Sequence, residues 1–472
     1  MDAREVNLGL DLCLRVGELL LSSGAGAADV TATMQSLSFA LGLRGAQTDI
    51  TFTSLSMTYQ DTPDDPPIVS TRQVKQRVID YEDLTRVDHL VRDVLRGDLD
   101  LRGARTELGR ITSTGHPRHR WAVTVGWGVM CSGVGLQLGG DAVVVALAAL
   151  AAITIDRLQL RMARRRMPGF YQQVVGGGVA TLIALGVGAT PVSVDVSQVV
   201  TANIIMLLAG IGFMGALQDA LTGFYVTATA RLTEAFLATA GIIAGVSGGL
   251  SIGRVLGLEI PRLQPGQYTL QSVGVLALGS AIAAAAFAFS CYAPKRILAP
   301  IALVAGTAIT ISGTLQQAGL ARAWGIAIAA FFVGLVSFAV AGRMRVPPLV
   351  VVVSAIVPML PGLSIYRGLT LLGEGGSSVP EGLLAMSAAI SVAIALASGV
   401  ILGEYVAQPL KREAARLESR LTGPRLVGPV DHSERRDLWR RRRNAPVPAG
   451  SEDPAGTRRR RGRTRQGSEG RG

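Results

Sequence analysis

The chain has 472 residues, 49% of them hydrophobic and 17% charged, with a formal net charge of +12. Split by region, residues 1–120 carry −3, residues 121–410 carry +5 and residues 411–472 carry +10. The basic excess belongs mainly to a C-terminal tail, so it does not argue for a nucleic-acid-binding fold.

The N-terminus, Met1-Asp2-Ala3-Arg4-Glu5, lacks the basic start, apolar run and small-residue cleavage site of a signal peptide. The first 120 residues are expected to stay on the side where they are made. Residues 6–22 read as a helix with Asn7, Asp11, Arg15, Glu18 and Ser22 on one polar stripe. Ser23-Gly24-Ala25-Gly26 breaks it, and a second helix covers about 27–41, ending at Gly42. Strand-like alternation follows at Ile50 and Phe52, then slips by one residue to Leu55, Met57 and Tyr59, which suggests a bulge. A turn at 61–67 leads to a second strand near 68–75, and residues 81–96 return to helical spacing, stopped by Gly97. The expectation is a small α+β domain over 1–118.

Ser22, Ser23, Asp11, Asp29, His89 and His116 are available for chemistry in that region, but no nucleophile elbow, phosphate loop or metal motif frames them. Ser22 and Ser23 sit at a helix end, where serine is common for backbone hydrogen bonding. Cys13, Cys131 and Cys291 are far apart without metal-ligand spacing, and read as small buried hydrophobes. No enzyme activity, cofactor or metal is expected.

Ten long apolar stretches follow, at 121–139, 141–158, 170–190, 199–219, 224–249, 268–290, 297–314, 321–341, 346–367 and 381–405. A span needs about 20 mostly apolar residues to cross the hydrocarbon core. The stretches divide into two sets of five with shared spacing: Gly215 precedes Glu234 by 19 residues, as Gly362 precedes Glu381. Trp121 and Tyr268 open the first and sixth spans. A repeat with an odd number of helices places its second copy upside down, and inverted repeats are an architecture of secondary transporters. The two repeats are placed at 119–258 and 266–408. With a cytoplasmic N-terminus the inner loops hold ten Lys/Arg against four outside, the run Arg161 to Arg166 being the strongest anchor. The C-terminus then returns to the cytoplasm, where the Arg-rich tail 411–472, with Arg440–Arg443 and Arg458–Arg461, is disordered or meets anionic lipid.

Ionisable residues within spans are costly and mark function by default. Asp219 follows Gly210-Ile211-Gly212-Phe213-Met214-Gly215 at the inner end of the fourth span. Arg231 and Glu234 share a face of the fifth, and Glu234 lies deepest. Pro358, Pro361 and Gly362 should break the ninth span, with Tyr366 and Arg367 after the break and Glu381 opening the tenth. Asn203 and Gln218 can bind polar substrate groups or cross-link helices. Breaks at matching places in two halves point to a substrate site, where exposed amides face a carboxylate. A buried carboxylate there can carry a coupling proton. Interfacial caps, glycine packing and a surface Arg367–Glu381 pair are the structural alternatives.

Gly17-Glu18-Leu19-Leu20-Leu21-Ser22-Ser23-Gly24-Ala25 and Leu41-Gly42-Leu43 precede the spans. Ala209-Gly210-Ile211, Asp219, Gly223, Arg231 and Glu234-Ala235 lie in the first set, and Val357-Pro358-Met359-Leu360-Pro361-Gly362-Leu363-Ser364-Ile365-Tyr366-Arg367-Gly368 in the second. This pattern closely resembles the bacterial threonine/serine exporter family (ThrE type) over about 1–410, departing from it at Gly212-Phe213-Met214-Gly215, where a Pro-Gly is common. The resemblance implies proton-motive-force-driven export of L-threonine and L-serine. Related proteins with separate halves look like dicarboxylate exporters, so substrate does not follow from fold alone. The expectation is an α-helical integral membrane protein of the bacterial inner membrane, ten transmembrane helices in a 5+5 inverted repeat with a small α+β cytoplasmic domain. Its partners are a small amino acid, protons and lipid, without nucleic acid; a homo-oligomer is left open. A succinate-type exporter, a membrane enzyme or signalling protein acting through the N-terminal domain, and an ion channel are the alternatives.

Overall fold

The computed structural model describes residues 2–74, 79–116, 118–190, 195–207, 210–257, 273–374 and 376–421. Tyr268 and the tail arginines beyond 421 lie outside the described residues.

The N-terminal region contains α1 (Ala3–Ser22), α2 (Ala27–Ala40), strands β1 (Gln47–Thr51), β2 (Ser54–Tyr59) and β3 (Ile68–Gln73), then α3 (Tyr81–Arg96) and α4 (Leu101–Ser113). The strands form one antiparallel sheet in the order β1-β2-β3, with Ile50 opposite Leu55 and Leu55 opposite Arg72. Leu55, Met57 and Tyr59 alternate inward from β2, the period-2 signature of a half-buried strand. The slip between Phe52 and Leu55 is not a bulge. It is the turn of a hairpin, where Phe52 adopts a φ of +52° and the chain reverses from β1 into β2. α3 starts because the Asp80 side chain accepts hydrogen bonds from the Glu82 and Asp83 amides, and stops at Gly97, whose φ is +81°. α4, which the sequence reading leaves out, is capped by Asp100 and buries Ala104, Leu108 and Ile111 at spacings of four and three.

The polar stripe of α1 tethers it to its neighbours. Asp11 meets Arg15 at 3.1 Å, Arg105 of α4 at 3.2 Å and Arg72 of β3 at 3.5 Å, and Glu18 also pairs with Arg72. The opposite faces of α1 pack Leu10, Leu12, Cys13, Val16 and Leu21 into the core. Burial there pushes the Cys13 thiol up to about 12, in keeping with an inert core residue.

The remaining helices are α5 (Arg120–Gln137), α6 (Ala142–Arg164), α7 (Gly169–Gly188), α8 (Val196–Leu207), α9 (Gly210–Leu221), α10 (Tyr225–Val255), α11 (Val273–Ser290), α12 (Leu298–Gln317), α13 (Arg322–Met344), α14 (Pro348–Ile356), α15 (Gly362–Glu374) and α16 (Val379–Leu421). Among the described residues seven helices are long and apolar enough to cross a membrane. They become eight if α8 and α9, bent by 46° at their break, count as one span. The expected first and ninth spans correspond to α5 and to α14 with α15, which that measure leaves out. The apolar windows have mean hydropathies of 1.4 to 2.3, yet only 33–44% of each is buried within the protein. Large side chains such as Leu150, Leu237, Leu303, Leu384 and Leu402 face outward. So much exposed apolar surface needs lipid rather than water around it, which makes this a multi-pass membrane protein.

Glycines bring three helix pairs into backbone contact. A Cβ on Gly177 of α7 would lie 2.7 Å from the Ile242 carbonyl of α10, and one on Gly241 would lie 2.7 Å from the Phe170 carbonyl. Gly245 is tighter still against Val174. Gly133 of α5 and Gly279 of α11 face each other: by the same test a Cβ on Gly133 would lie 2.8 Å from the Gly279 carbonyl, and one on Gly279 2.7 Å from the Gly133 carbonyl. Gly334 of α13 fits against Val400 and Gly403 of α16 in the same manner, and Gly399 of α16 fits against Ala327 of α13. Small residues at such seams are how membrane helices approach when lipid removes the hydrophobic drive between them. The N-terminal region belongs to the same compact unit as these helices, Met1–Glu413.

Candidate functional site

The fourth expected span is divided between α8 and α9, ahead of the glycine-rich segment, whose residues 210–215 are themselves helical. The ninth is broken by its prolines: α14 passes into a 3₁₀ turn at Val357–Met359, Leu360 becomes extended, and α15 begins at Gly362. The breaks belong to one neighbourhood. Tyr366 of α15 is buried against a cluster that includes Val199, Val200 and Ile204 of α8 and Val246 of α10. Ile365 packs with Phe213 of α9, Ala235 of α10 and Ala389 and Ala393 of α16. The Pro358 carbonyl, freed by the turn, accepts a hydrogen bond from buried Gln137 of α5 at 3.3 Å. Gln137 carries no motif of its own and is missed by the sequence reading.

At one end of this neighbourhood sits a buried ion pair. Arg231 Nη1 of α10 lies 2.9 Å from Asp219 Oδ2 of α9, with side chains 7% and 1% exposed. Arg231 therefore turns to Asp219 on the adjoining helix rather than to Glu234 on its own. Asp219 is the buried charge that needs compensation, whereas Glu234 stands on an exposed face one turn along. Gly215 leaves room for the guanidinium: a Cβ there would lie 3.2 Å from Nη1.

The α1–α2 loop closes over this pair. The Ala27 amide donates to Asp219 Oδ1 at 2.9 Å, and Arg231 Nη2 donates to the Ala25 carbonyl at 3.1 Å. Beside it the Phe52 amide, in the β1–β2 turn, donates to Thr227 Oγ1 of α10 at 3.0 Å. Asp29, in the first turn of α2, is near enough to Asp219 to feel its charge. The protein around it, and then that charge, push its carboxyl above the usual value. Glu404 of α16 lies within electrostatic range of Asp29.

Of the other expected residues, Asn203 is fully buried in α8. Its Nδ2 donates to the Val199 carbonyl at 2.9 Å, and its Oδ1 has no hydrogen-bond partner among the described residues. Gln218 is half-buried on α9. Arg367 and Glu381 are both exposed, and no ion pair joins them among the described residues.

A second junction lies around His116. Its Nε2 is 2.8 Å from Asp80 and its Nδ1 3.3 Å from Glu82, and its ring stacks on Tyr292 just after α11, with centroids 4.0 Å apart. Burial raises the Asp80 and Asp83 carboxyls. Asp80, Asp83 and His116 offer ligand atoms within 4.8 Å of one another. Asp80 already spends both oxygens, one on the α3 cap and one on His116, so the arrangement reads as a strut between helices. Arg118 adds a hydrogen bond to the Ala293 carbonyl at 2.8 Å and stacks over Phe289. On the facing helices, Arg120 and Thr124 of α5 both bind buried Asp156 of α6 at 2.7 Å.

The family model described as "Putative threonine/serine exporter" matches residues 11–253, and a second, "Threonine/Serine exporter, ThrE", matches 276–406. A protein of Mycobacterium tuberculosis named "Probable threonine/serine exporter" is 34% identical over 461 residues, 95% of this chain and 84% of that protein. The "Threonine/serine exporter" of Corynebacterium glutamicum is 32% identical over 85% of this chain and 83% of its own. The Escherichia coli "Probable succinate transporter subunit YjjP" is 27% identical over 51% of this chain and 93% of its own. No solved structure matches. On the extent of the matched residues and the two long relatives, the chain belongs to the threonine/serine exporter family.

Proposed function

We propose that the protein is a secondary active exporter of L-threonine and L-serine, driven by the proton motive force across the bacterial inner membrane. The observation that carries this reading is the 34% identity, over 95% of the chain, to a protein named as an exporter of those amino acids. The geometry supports it independently. Two interrupted spans from different halves pack on each other, and a buried Asp219–Arg231 pair stands at the end of one of them. Such breaks present helix-end amides to a substrate carboxylate, with the backbone still satisfied by neighbouring helices.

The architecture we infer is ten spans in a 5+5 inverted repeat over 119–258 and 266–408. An α+β cytoplasmic domain at 1–118 precedes them, an Arg-rich tail at 411–472 follows, and both termini are cytoplasmic. Supporting it, the matched family models divide the chain between 253 and 276. Third and fifth spans share a glycine seam, as do eighth and tenth, and the first and sixth meet at Gly133 and Gly279, where a two-fold axis would relate them. Glu234 is the proton carrier we favour: it lies on α10 beside the cluster of Phe213, Ala235 and Ile365 that joins the two breaks.

The test is efflux from cells loaded with threonine-containing dipeptides, with and without the gene, following threonine, serine and succinate. Gene-dependent efflux of the hydroxy amino acids, abolished by a protonophore, is expected. Efflux of succinate alone would overturn the reading in favour of the one that the distant half-length relative suggests.

A further inference from the structure

Resting on that exporter reading, the contacts over Asp219 and Arg231 identify more than a docking surface. We propose that Asp219 and Arg231 are the pair that binds the ammonium and carboxylate of a cytosolic α-amino acid, and that the α1–α2 loop occupies both here as a built-in stand-in for it. An α-amino acid offers a cationic donor and an anionic acceptor on one carbon. The loop offers the same two functions one residue apart. The Ala27 N–H meets Asp219 at 2.9 Å, and the Ala25 C=O meets Arg231 at 3.1 Å, with Gly26 between them. The donor is the first amide of α2, where the helix dipole gives it partial positive character, so Asp219 faces a mimic of an ammonium.

Two further observations fit a ligand site rather than a permanent weld. Arg231 is 6% exposed, yet its Nε has no hydrogen-bond partner among the described residues, leaving a buried guanidinium donor unused. Asp29 adds a carboxylate close to Asp219 and is crowded by it. The loop brings no full positive charge to these two acids, and an ammonium would. The loop's two bonds carry a full charge on one side only, whereas those to a zwitterion carry opposite charges on both, so the free amino acid can displace the loop. Displacement then frees Asp219 and Arg231 only when cargo is present.

Ala27→Pro tests this without touching Asp219 or Arg231. Ala27 is the first residue of α2, where proline is well tolerated. Gly26 before it already has the extended backbone, φ −67° and ψ 151°, that proline requires of its predecessor. The change removes the N–H that Asp219 holds and spares the helix. In the full-length exporter it should lower the internal threonine concentration for half-maximal efflux by about ten-fold, the worth of one hydrogen bond to a charged group. An unchanged or raised half-saturation would overturn the proposal.

Amide hydrogen exchange on the purified wild-type protein keeps the test independent of that variant's folding. L-threonine should speed exchange across residues 24–29, whereas threonine amide, lacking the carboxylate, and 3-hydroxybutyrate, lacking the ammonium, should not. No change with threonine, or equal change with all three, would overturn the stand-in. A wild type that exports no hydroxy amino acid would instead overturn the exporter reading beneath it.

Discussion

The Asp219–Arg231 pair separates two costs that surface ion pairs never face together. Each charge is buried, so removing one strands the other, and loss of one partner of such a pair costs about 3–5 kcal/mol. Arg231→Met should therefore lower the melting temperature of the purified protein and abolish efflux, while Asp219→Asn, which keeps shape and hydrogen bonding, should spare more stability than transport. Glu234→Gln is expected to leave a folded, membrane-inserted protein whose efflux is lost or no longer follows external pH. Wild-type rates at matched abundance would reduce Glu234 to a structural role. Asp29 carries a signed pH dependence. Its carboxyl titrates higher in the folded protein than in the unfolded chain, so it subtracts stability as pH rises from the ordinary carboxylate range through the raised value. Asp29→Asn should remove that slope and raise the melting temperature at neutral pH, with no difference below the ordinary range.

At the scale of elements, the proline break and the glycine seams make opposite demands. Pro361→Ala should let α14 and α15 approach a continuous helix, withdraw the free carbonyl that Gln137 holds at Pro358, and reduce efflux at matched abundance. Gly245→Ala pushes a methyl into the Val174 carbonyl, and overpacking of that kind costs about 1–3 kcal/mol, readable as a lower melting temperature. The seams at Gly133, Gly177, Gly241, Gly245 and Gly279 could not be read from sequence, since a glycine's packing partner lies on another helix. The proline break could, because proline acts on the backbone wherever it stands. The α1, α2 and α3 helices were legible for a similar reason, since their caps and spacings are local. The β1–β2 hairpin was not: its turn, at Phe52, carries none of the Gly or Asn that usually announces a positive φ, so the reversal looked like a slip of register. Arg231's true partner escaped because Asp219 lies on another helix, and spacing along one helix points only to Glu234. The hold of Ala25 and Ala27 on that pair could not be read at all, since backbone groups separated by about two hundred residues leave no mark on side-chain pattern.

For the whole molecule, the N-terminal region is fastened to the helices in several places, and two of them are the α1–α2 loop over Asp219 and Arg231 and the His116 strut beside Tyr292. With the inner loops richer in Lys/Arg, both of these fastenings are expected on the cytoplasmic side. Reporter fusions after Gly140, Gly169 and Arg420 should read outside, inside and inside. An inside reading after Gly140 would invert the assignment and move the loop to the far side of the membrane, where it could not compete with cytosolic amino acids.

The glycine seams have a genetic consequence. Every single-nucleotide change that replaces a glycine codon with another amino acid adds at least a Cβ, so no one-step coding replacement at Gly177, Gly241, Gly245, Gly133 or Gly279 is sterically silent. Their neighbours facing lipid can drift among Leu, Ile, Val and Phe at little cost. The inherited variation that this protein tolerates should therefore be written on the outside of its helices, with the lines where they touch held almost bare.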